Sequence, residues 1–163
     1  MFTKFFIHYF EVGFVRDVCT NFRQSESCMN HGIKLLYFVT EDWYFCSHRL
    51  ALAYAAKQMG YHVTVLTRVN RYGDLIRSQG FNLIPLDLER GGLNPLRELK
   101  TLYKVWQIYT RVRPDIVHHV ALKPILYGGL AAFFIRDIRS VNLVAGLGAI
   151  FSSDRLKARL LRP

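Results

Sequence analysis

From residue 33 onward, short apolar runs alternate with longer segments of helical character. The first run, residues 33–39, is apolar except for Lys34, which is typical of a strand buried on both faces of a sheet. Further apolar or β-branched runs cover residues 62–67, 81–86, 115–119 and 139–144. Apolar strands separated by helices favour a parallel sheet covered on both faces. We therefore predict a single doubly wound α/β domain over residues 33–153.

Helix boundaries are predicted from capping residues and prolines. Ser47 is predicted to cap the helix that follows the first strand. The Asn-Pro pair at residues 94–95 predicts the start of a long helix, which must stop before Pro114. A later helix over residues 124–135 contains two adjacent glycines that allow close packing on the sheet. Pro85 places the third strand at an edge or at a strand end, because proline cannot donate to the hydrogen-bond ladder.

The two ends of the chain do not share this pattern. Residues 1–32 have no clear period and form an irregular N-terminal extension. Two interpretations of it stay open: Met29 is the natural start, preceded by upstream sequence read in frame, or the extension is mobile. Residues 154–163 are basic and amphipathic. They are interpreted either as a segment lying on an anionic membrane face or as the start of a truncated helix.

The formal net charge of +10 favours an anionic partner, such as a phosphorylated ligand or an anionic membrane face. Nucleic acid is not expected, because the basic residues are dispersed and no nucleic-acid-binding motif is present. The three cysteines, Cys19, Cys28 and Cys46, form no CxxC pair and favour a reducing compartment. No apolar run reaches the length of a membrane span. A cytoplasmic protein is therefore expected, with a peripheral contact at the inner face of the membrane as a further expectation.

Ligands of such sheets bind at the carboxyl ends of the strands. The segment after the first strand, residues 40–49, has no glycine, whereas a dinucleotide-binding Rossmann domain carries GxGxxG there. Bulky side chains fill the place of a pyrophosphate, which argues against NAD or FAD. The helix start, with His48 and Arg49 in its first turn, still suits an anionic or hydroxyl-rich ligand. Alternatively, the aromatic residues of this segment only pack at the domain edge.

The predicted substrate- or acceptor-binding residues follow the strands of this Rossmann-like sheet. They are Thr40, Glu41, Asp42, Trp43, Ser47, His48, Arg49, Arg68, Lys123, Asn142, Gly146 and Gly148.

His118 and His119 end the fourth predicted strand and are the catalytic candidates. Their side chains are expected on opposite faces of the sheet. A histidine at this edge orients or deprotonates a substrate hydroxyl, or is instead a hydrogen-bonded structural residue. Lys123 is interpreted either as a phosphate contact or as a solvated lysine. No metal or other cofactor is expected, since the sequence has no DxD, no HExxH and no Cys/His cluster.

Five ordered segments carry a family resemblance: KLLYFVTEDWYFCSHRL at residues 34–50, GFNLIPL at 80–86, GLNPLREL at 92–99, RPDIVHHVALKP at 113–124 and AGLG at 145–148. Together they resemble the N-terminal domain of GT-B glycosyltransferases of family 4. The similarity is greatest to bacterial enzymes that extend lipid-linked glycans or O-antigen units in cell-envelope polysaccharide biosynthesis.

The resemblance implies two Rossmann-like domains that face a cleft, without a metal. The N-terminal domain holds the acceptor, a sugar phosphate or lipid-linked glycan, and the C-terminal domain holds the nucleotide sugar. It implies that this chain is a transferase fragment, inactive alone, whose C-terminal partner is encoded in the same gene or a neighbouring frame. Many relatives have His-x-His after strand four. Here His118 matches the first histidine and Val120 stands at the second, so the second histidine's role is not carried over. The alternative is a non-catalytic basic α/β module that binds an anionic membrane surface or a phosphorylated ligand.

Overall fold

A computed structural model describes residues 32–88, 95–135 and 137–144. Its elements, in chain order, are β1 Lys34–Glu41, α1 Asp42–His48, α2 Leu50–Gln58, β2 His62–Arg68, α3 Gly73–Ser78, β3 Asn82–Pro85, α4 Pro95–Val112, β4 Ile116–Val120, α5 Leu122–Phe133 and β5 Arg139–Leu143. All paired strands are parallel, and their order in the sheet is β3-β2-β1-β4-β5. The predicted doubly wound, Rossmann-like α/β fold is confirmed.

The most apolar strands occupy the middle of the sheet. β1, β2 and β4 are buried along most of their length, whereas the edge strands β3 and β5 are only partly covered. Pro85 is the last residue of β3 and lies at the sheet edge, as predicted, where a missing N–H donor leaves no gap in the ladder.

Helices α4 and α5 cover one face of the sheet. Val105 and Tyr109 of α4 are fully buried against a cluster that includes Leu36, Phe38 and Val117. On the other face, the ring of Tyr37 meets that of Phe45 from α1, with centroids 5.6 Å apart. The long predicted helix is confirmed over Pro95–Val112; its predicted cap, Asn94, lies outside the described residues.

The predicted cap at Ser47 is wrong. β1 passes directly into α1 at Asp42, and Ser47 lies in the last turn of that helix. A break at Arg49, where the backbone leaves helical geometry, separates α1 from α2. The reason is Asp42, whose buried carboxylate accepts the Trp43 N–H at 2.8 Å and fixes the helix start.

The two adjacent glycines of α5 differ in their surroundings. A Cβ on Gly128 would collide with the imidazole of His119 and lie 2.7 Å from the hydroxyl oxygen of Tyr109. A Cβ on Gly129 would have no neighbour within 4 Å. The predicted close packing is therefore confirmed for Gly128 alone. Within the described part of the chain, no helix is both long and apolar enough to cross a bilayer.

Candidate functional site

The strand order places a topological switch point between β1 and β4. β1 pairs with β2 on one side and with β4 on the other: the chain runs outward from β1 through β2 to β3, then crosses back to β4 on the opposite side of β1. The carboxyl ends of the two strands are in register, with Val39 opposite Val120. Ala121 follows with φ 84° and ψ 163°, a conformation rare for any residue but glycine. Sheets of this type bind ligands in the crevice at this point.

Asp42 ties the ends of β1 and β2 together. One carboxylate oxygen accepts the backbone N–H groups of Asn70, Arg71 and Tyr72 at 2.6, 2.9 and 2.8 Å. The other accepts the N–H of Trp43. Burial by itself would raise the pKa of Asp42, but the four N–H donors outweigh it and lower the pKa. Asp42 is thus an ionised anchor for the loop after β2.

Glu41 places a second carboxylate at the same helix start. It is buried, and its Oε2 accepts the side-chain N–H of Asn70 at 2.6 Å. Dinucleotide-binding domains use this helix start to hold a pyrophosphate. Two carboxylates there oppose the negative charge of a phosphate and do not oppose an uncharged hydroxyl group. The glycine-free segment therefore suits a hydroxyl-rich ligand better than a nucleotide.

Three predicted binding residues lie elsewhere than expected. Ser47 and His48 are exposed at the C-terminal end of α1, and the rings of His48 and Tyr44 stack 4.4 Å apart. Arg49 is buried between α1 and α2. The prediction that His48 and Arg49 occupy the first turn of a helix at the ligand edge is wrong, because that first turn begins at Asp42.

His119 lies in a buried network beneath the crevice. Its Nδ1 is 2.7 Å from Oδ1 of Asn142 on β5, and its Nε2 is 3.0 Å from the hydroxyl of Tyr109 on α4. The Asn142 oxygen can only accept, so Nδ1 carries the proton and the Tyr109 hydroxyl donates to Nε2. Burial lowers the pKa of His119, and the bond to Asn142 raises it in part. A neutral imidazole thereby orients the side chain of the exposed Asn142.

His118 points to the opposite face, as the sequence predicts. Its ring lies 5.3 Å from that of Tyr37. Burial is the main cause that lowers the pKa of His118 to about 3, with the charge of Arg49 and the neighbouring His119 acting in the same direction. Both histidines are buried, at 7% and 0% exposure, so neither ring reaches the crevice directly. The catalytic role assigned to them from sequence stays a prediction.

Stability should fall in mild acid because of His118. The pKa of His118 is about 3 in the folded domain and near 6.5 in the unfolded chain. A group of this kind contributes stability that is fully present above its unfolded pKa and is lost as the pH falls toward its folded pKa. Between pH 6.5 and 5 this amounts to about 1–2 kcal/mol. Urea unfolding of His118→Gln should show a shallower pH dependence than the unsubstituted chain. His48→Gln, at an exposed histidine, is the control; equal slopes in all three proteins would contradict the assignment.

The basic residues predicted at the edge are ion-paired. Nζ of Lys123 lies 3.1 Å from Oε1 of Glu98 on α4, and both side chains are one-quarter exposed. Nε of Arg68 lies 3.8 Å from Oδ1 of Asp87 in a more exposed pair. Lys123 is therefore not a plain solvated lysine, and its ammonium group is already paired with Glu98 rather than open to a phosphate. A phosphate would have to compete with Glu98 for it.

The structure thus brings Thr40, Glu41, Asp42 and Trp43 together at the edge of β1 and places Lys123 and Asn142 beyond β4. Gly146 and Gly148 lie outside the described residues. Sequence reasoning missed three residues of the site: Asn70, Tyr109 and Glu98. Of these, only Asn70 could have been predicted from the rule that ligands bind at the carboxyl ends of the strands, since it follows Arg68 of β2 by two positions.

Comparison with known proteins decides the family. The model of the "Glycosyl transferase 4-like" family matches residues 34–163. The chain belongs to this glycosyltransferase family.

Besides this glycosyl transferase 4-like match, the chain is similar to a curated relative and to two solved structures. The chain is 27% identical over 114 residues to the N,N'-diacetylbacillosaminyl-diphospho-undecaprenol alpha-1,3-N-acetylgalactosaminyltransferase of Campylobacter jejuni, covering 70% of this chain and 30% of the relative. A glycosyltransferase from Rickettsia africae superposes with a TM-score of 0.55 at 14% identity, over 78% of this chain and 35% of that one. MurG of Acinetobacter baumannii gives 0.53 at 18% identity, over 75% and 39%.

The chain spans about a third of the length of these proteins. The structural likeness, at this low identity, shows the fold alone. Membership of the glycosyl transferase 4-like family does not favour the alternative of a non-catalytic basic module.

Proposed function

We propose that this domain is the acceptor-binding half of a glycosyltransferase that moves a sugar from a nucleotide sugar to a lipid-linked glycan. The observation that carries the proposal is the Glu41–Asp42 pair at the start of α1, within a domain of a glycosyltransferase family. These carboxylates disfavour a nucleotide diphosphate at the switch point. They leave the crevice to a ligand that offers hydroxyl groups.

The residues around the pair suit a glycan. Trp43 is 42% exposed at the first turn of α1 and offers an amphipathic ring face on which a sugar ring can pack. The part-exposed Thr40 and the exposed Asn70 flank it with groups that donate and accept hydrogen bonds. Asn142, held by His119, adds amide donors beyond β4.

A lipid-linked acceptor is supported by the name of the Campylobacter relative, which acts on a diphospho-undecaprenol substrate. The diphosphate of such an acceptor needs cationic side chains that lie away from the Glu41–Asp42 pair. Three basic residues lie at the same edge of the sheet: Arg68 ends β2, Arg71 follows it, and Lys123 lies in the first turn of α5. We place the glycan over Trp43 and the diphosphate toward these basic side chains.

The donor side belongs to a second domain in this proposal. The relatives are about three times as long as the matched region. The resemblance to GT-B enzymes implies that the donor site lies in the other half. The described domain is then inactive until a nucleotide-sugar domain, on the same chain or a partner chain, faces its carboxyl edge.

Trp43→Ala should weaken acceptor binding about tenfold, because the apolar face of an aromatic platform is lost. Binding is measured by calorimetric titration with a glycan diphosphate on a short, water-soluble isoprenoid chain. Tyr54→Ala is the matched control: this tyrosine is 48% exposed on α2, away from the crevice, and its loss should leave the affinity unchanged. Equal affinities for both variants and the parent chain would refute the placement of the glycan at Trp43.

A further inference from the structure

A cavity of about 640 Å³ lies at the opposite edge of the sheet from the crevice. The amino ends of β1, β2 and β3 surround it, together with the C-terminal ends of α2 and α4, and we call it the amino-edge pocket. Its size is typical of a small-molecule site. Because the crevice lies at the carboxyl ends of the same parallel strands, the two sites share no residue.

The titratable side chains of the amino-edge pocket are basic or aromatic. In the described part of the chain no acidic side chain lines it, and its basic lining consists of Lys34, Lys57, His62 and Arg111. The carboxylate of Asp115 accepts the backbone N–H of Lys34 at 2.7 Å and does not line the pocket. Among the described residues, the side chains of Lys34 and Arg111 form no ion pair with a carboxylate. Both cations are therefore open to an anionic ligand.

Helix ends account for only part of this charge. α2, α3 and α4 end around the pocket, and Lys57 and Arg111 lie in the last turns of α2 and α4. A basic residue in that position offsets the partial negative charge of the helix end, which is at most about half an elementary charge. Three helix ends thus offset about half of the charge of two lysines and one arginine. A net positive charge remains in the pocket for a ligand.

The ammonium group of Lys57 is held in place. Its Nζ donates to the carbonyl oxygen of Gln79 at 2.7 Å and lies 5.7 Å from the centre of the Phe81 ring. Gly80, with φ 72°, leaves room for it, because a Cβ there would collide with the ammonium. An ammonium has three N–H donors, so two remain for a ligand. A cation fixed in advance loses little side-chain entropy when a ligand binds.

Two uncharged hydrogen-bonding side chains line the same pocket. Thr64 is buried, at 7% exposure, and its Oγ1 accepts the side-chain N–H of Asn82 at 3.4 Å, a bond that leaves the hydroxyl proton of Thr64 unused. Thr64 and Asn82 are register partners of β2 and β3, and Lys34 and His62 are register partners of β1 and β2. Since side chains alternate along a strand, Lys34, His62 and Thr64 share the face that α4 covers.

We propose that the amino-edge pocket binds the phosphate group of a small phosphorylated ligand. A phosphate monoester carries a charge of about −1.5 to −2 at neutral pH and three acceptor oxygens, which match the surplus cations and the hydroxyl donor of Thr64. The pocket is larger than a phosphate group, and Tyr61, Ile84 and Val112 supply apolar surface for the organic part of the ligand. This inference goes beyond the proposed function, because it assigns a second site away from the acceptor crevice.

Calorimetric titration of the full chain tests the site with three probes: glucose 6-phosphate, inorganic phosphate and glucose. We expect saturable binding of the sugar phosphate and no binding of glucose at the same concentrations. Weaker binding of inorganic phosphate would assign the apolar lining to the organic part of a phosphate monoester. Equal affinities for the two phosphates would identify free phosphate as the ligand of the site.

The cations of the pocket are tested by a double substitution. Lys34→Ser/Arg111→Ser should lower the affinity for glucose 6-phosphate tenfold or more, because two charge-assisted hydrogen bonds are lost. The matched control is Lys100→Ser/Lys104→Ser, which removes the same charge from exposed positions of α4 outside the pocket and should change the affinity less than twofold. Circular dichroism confirms that each variant is folded.

The buried hydroxyl gives a second test that leaves the charge of the pocket unchanged. Thr64→Val keeps the shape of the side chain and should lower the affinity about tenfold, whereas Thr64→Ser keeps the hydroxyl and should restore most of it. No binding of either phosphate at low salt would overturn the inference, as would equal losses in the double variant and its control. A loss caused by Trp43→Ala, with none from Lys34→Ser/Arg111→Ser, would place the phosphate in the crevice and overturn the second site.

Discussion

Asp42→Ala should destabilise the domain by about 3 kcal/mol, the largest effect expected for any single substitution at the site. The carboxylate is fully buried and accepts four backbone N–H groups, three of them from the loop after β2. Alanine removes the acceptor and releases both the helix start and that loop. Urea unfolding at neutral pH measures the loss. Asp74→Ala is the control, because the Asp74 side chain is fully exposed and its pair with Arg77 contributes little.

The pH dependence of the unfolding free energy of Asp42→Asn shows whether the ionised carboxylate is what stabilises the domain. The folded pKa of Asp42 is lowered, so the carboxylate contributes stability that is present above its unfolded pKa, near 3.8, and is lost as pH falls through the folded value. The asparagine variant should be less stable at neutral pH and should lose less stability below pH 4 than the unsubstituted chain. Parallel pH profiles for the two proteins would show that ionisation of Asp42 contributes nothing.

Gly128→Ala should destabilise the domain by about 2 kcal/mol, although alanine is the better helix former. The added Cβ would collide with the His119 ring and crowd the Tyr109 hydroxyl, so the network that holds Asn142 must shift. Gly129→Ala should instead stabilise by up to about 1 kcal/mol, because its Cβ meets nothing within 4 Å. Thermal unfolding compares the two neighbours directly.

Opposite signs at adjacent positions of one helix are a demanding test. If both alanine variants were stabilised equally, the contact between α5 and His119 would be looser than the structure shows. If Gly128→Ala also weakened acceptor binding more than it lowered stability, the buried network would be acting on the crevice through Asn142.

The strand pattern was predictable because it is local. Apolar runs without polar alternation identified all five strands, and Pro85 identified an edge. The proline at residue 95 and the one at 114 bracketed α4. Periodicity along α4 did not show which side is buried: Val105 and Tyr109 face the sheet, while Leu96, Leu99 and Trp106 are exposed.

The candidate site was less predictable because its bonds join distant parts of the chain. Ser47 satisfied every local rule for a helix cap, but Asp42 begins the helix by binding residues 28 to 30 positions away. The sequence placed His118 and His119 on opposite faces, yet the partners of His119 lie 10 and 23 positions away on two other elements. Nothing in local composition marks such contacts.

The acceptor-side assignment is tested most directly by titrating the domain, under identical conditions, with two ligands. One is the glycan diphosphate on a short isoprenoid chain, and the other is a uridine diphosphate sugar. The account predicts saturable binding of the first, weakened by Trp43→Ala, and no binding of the second at the same concentrations. Saturable binding of the nucleotide sugar, with none of the glycan diphosphate, would contradict it.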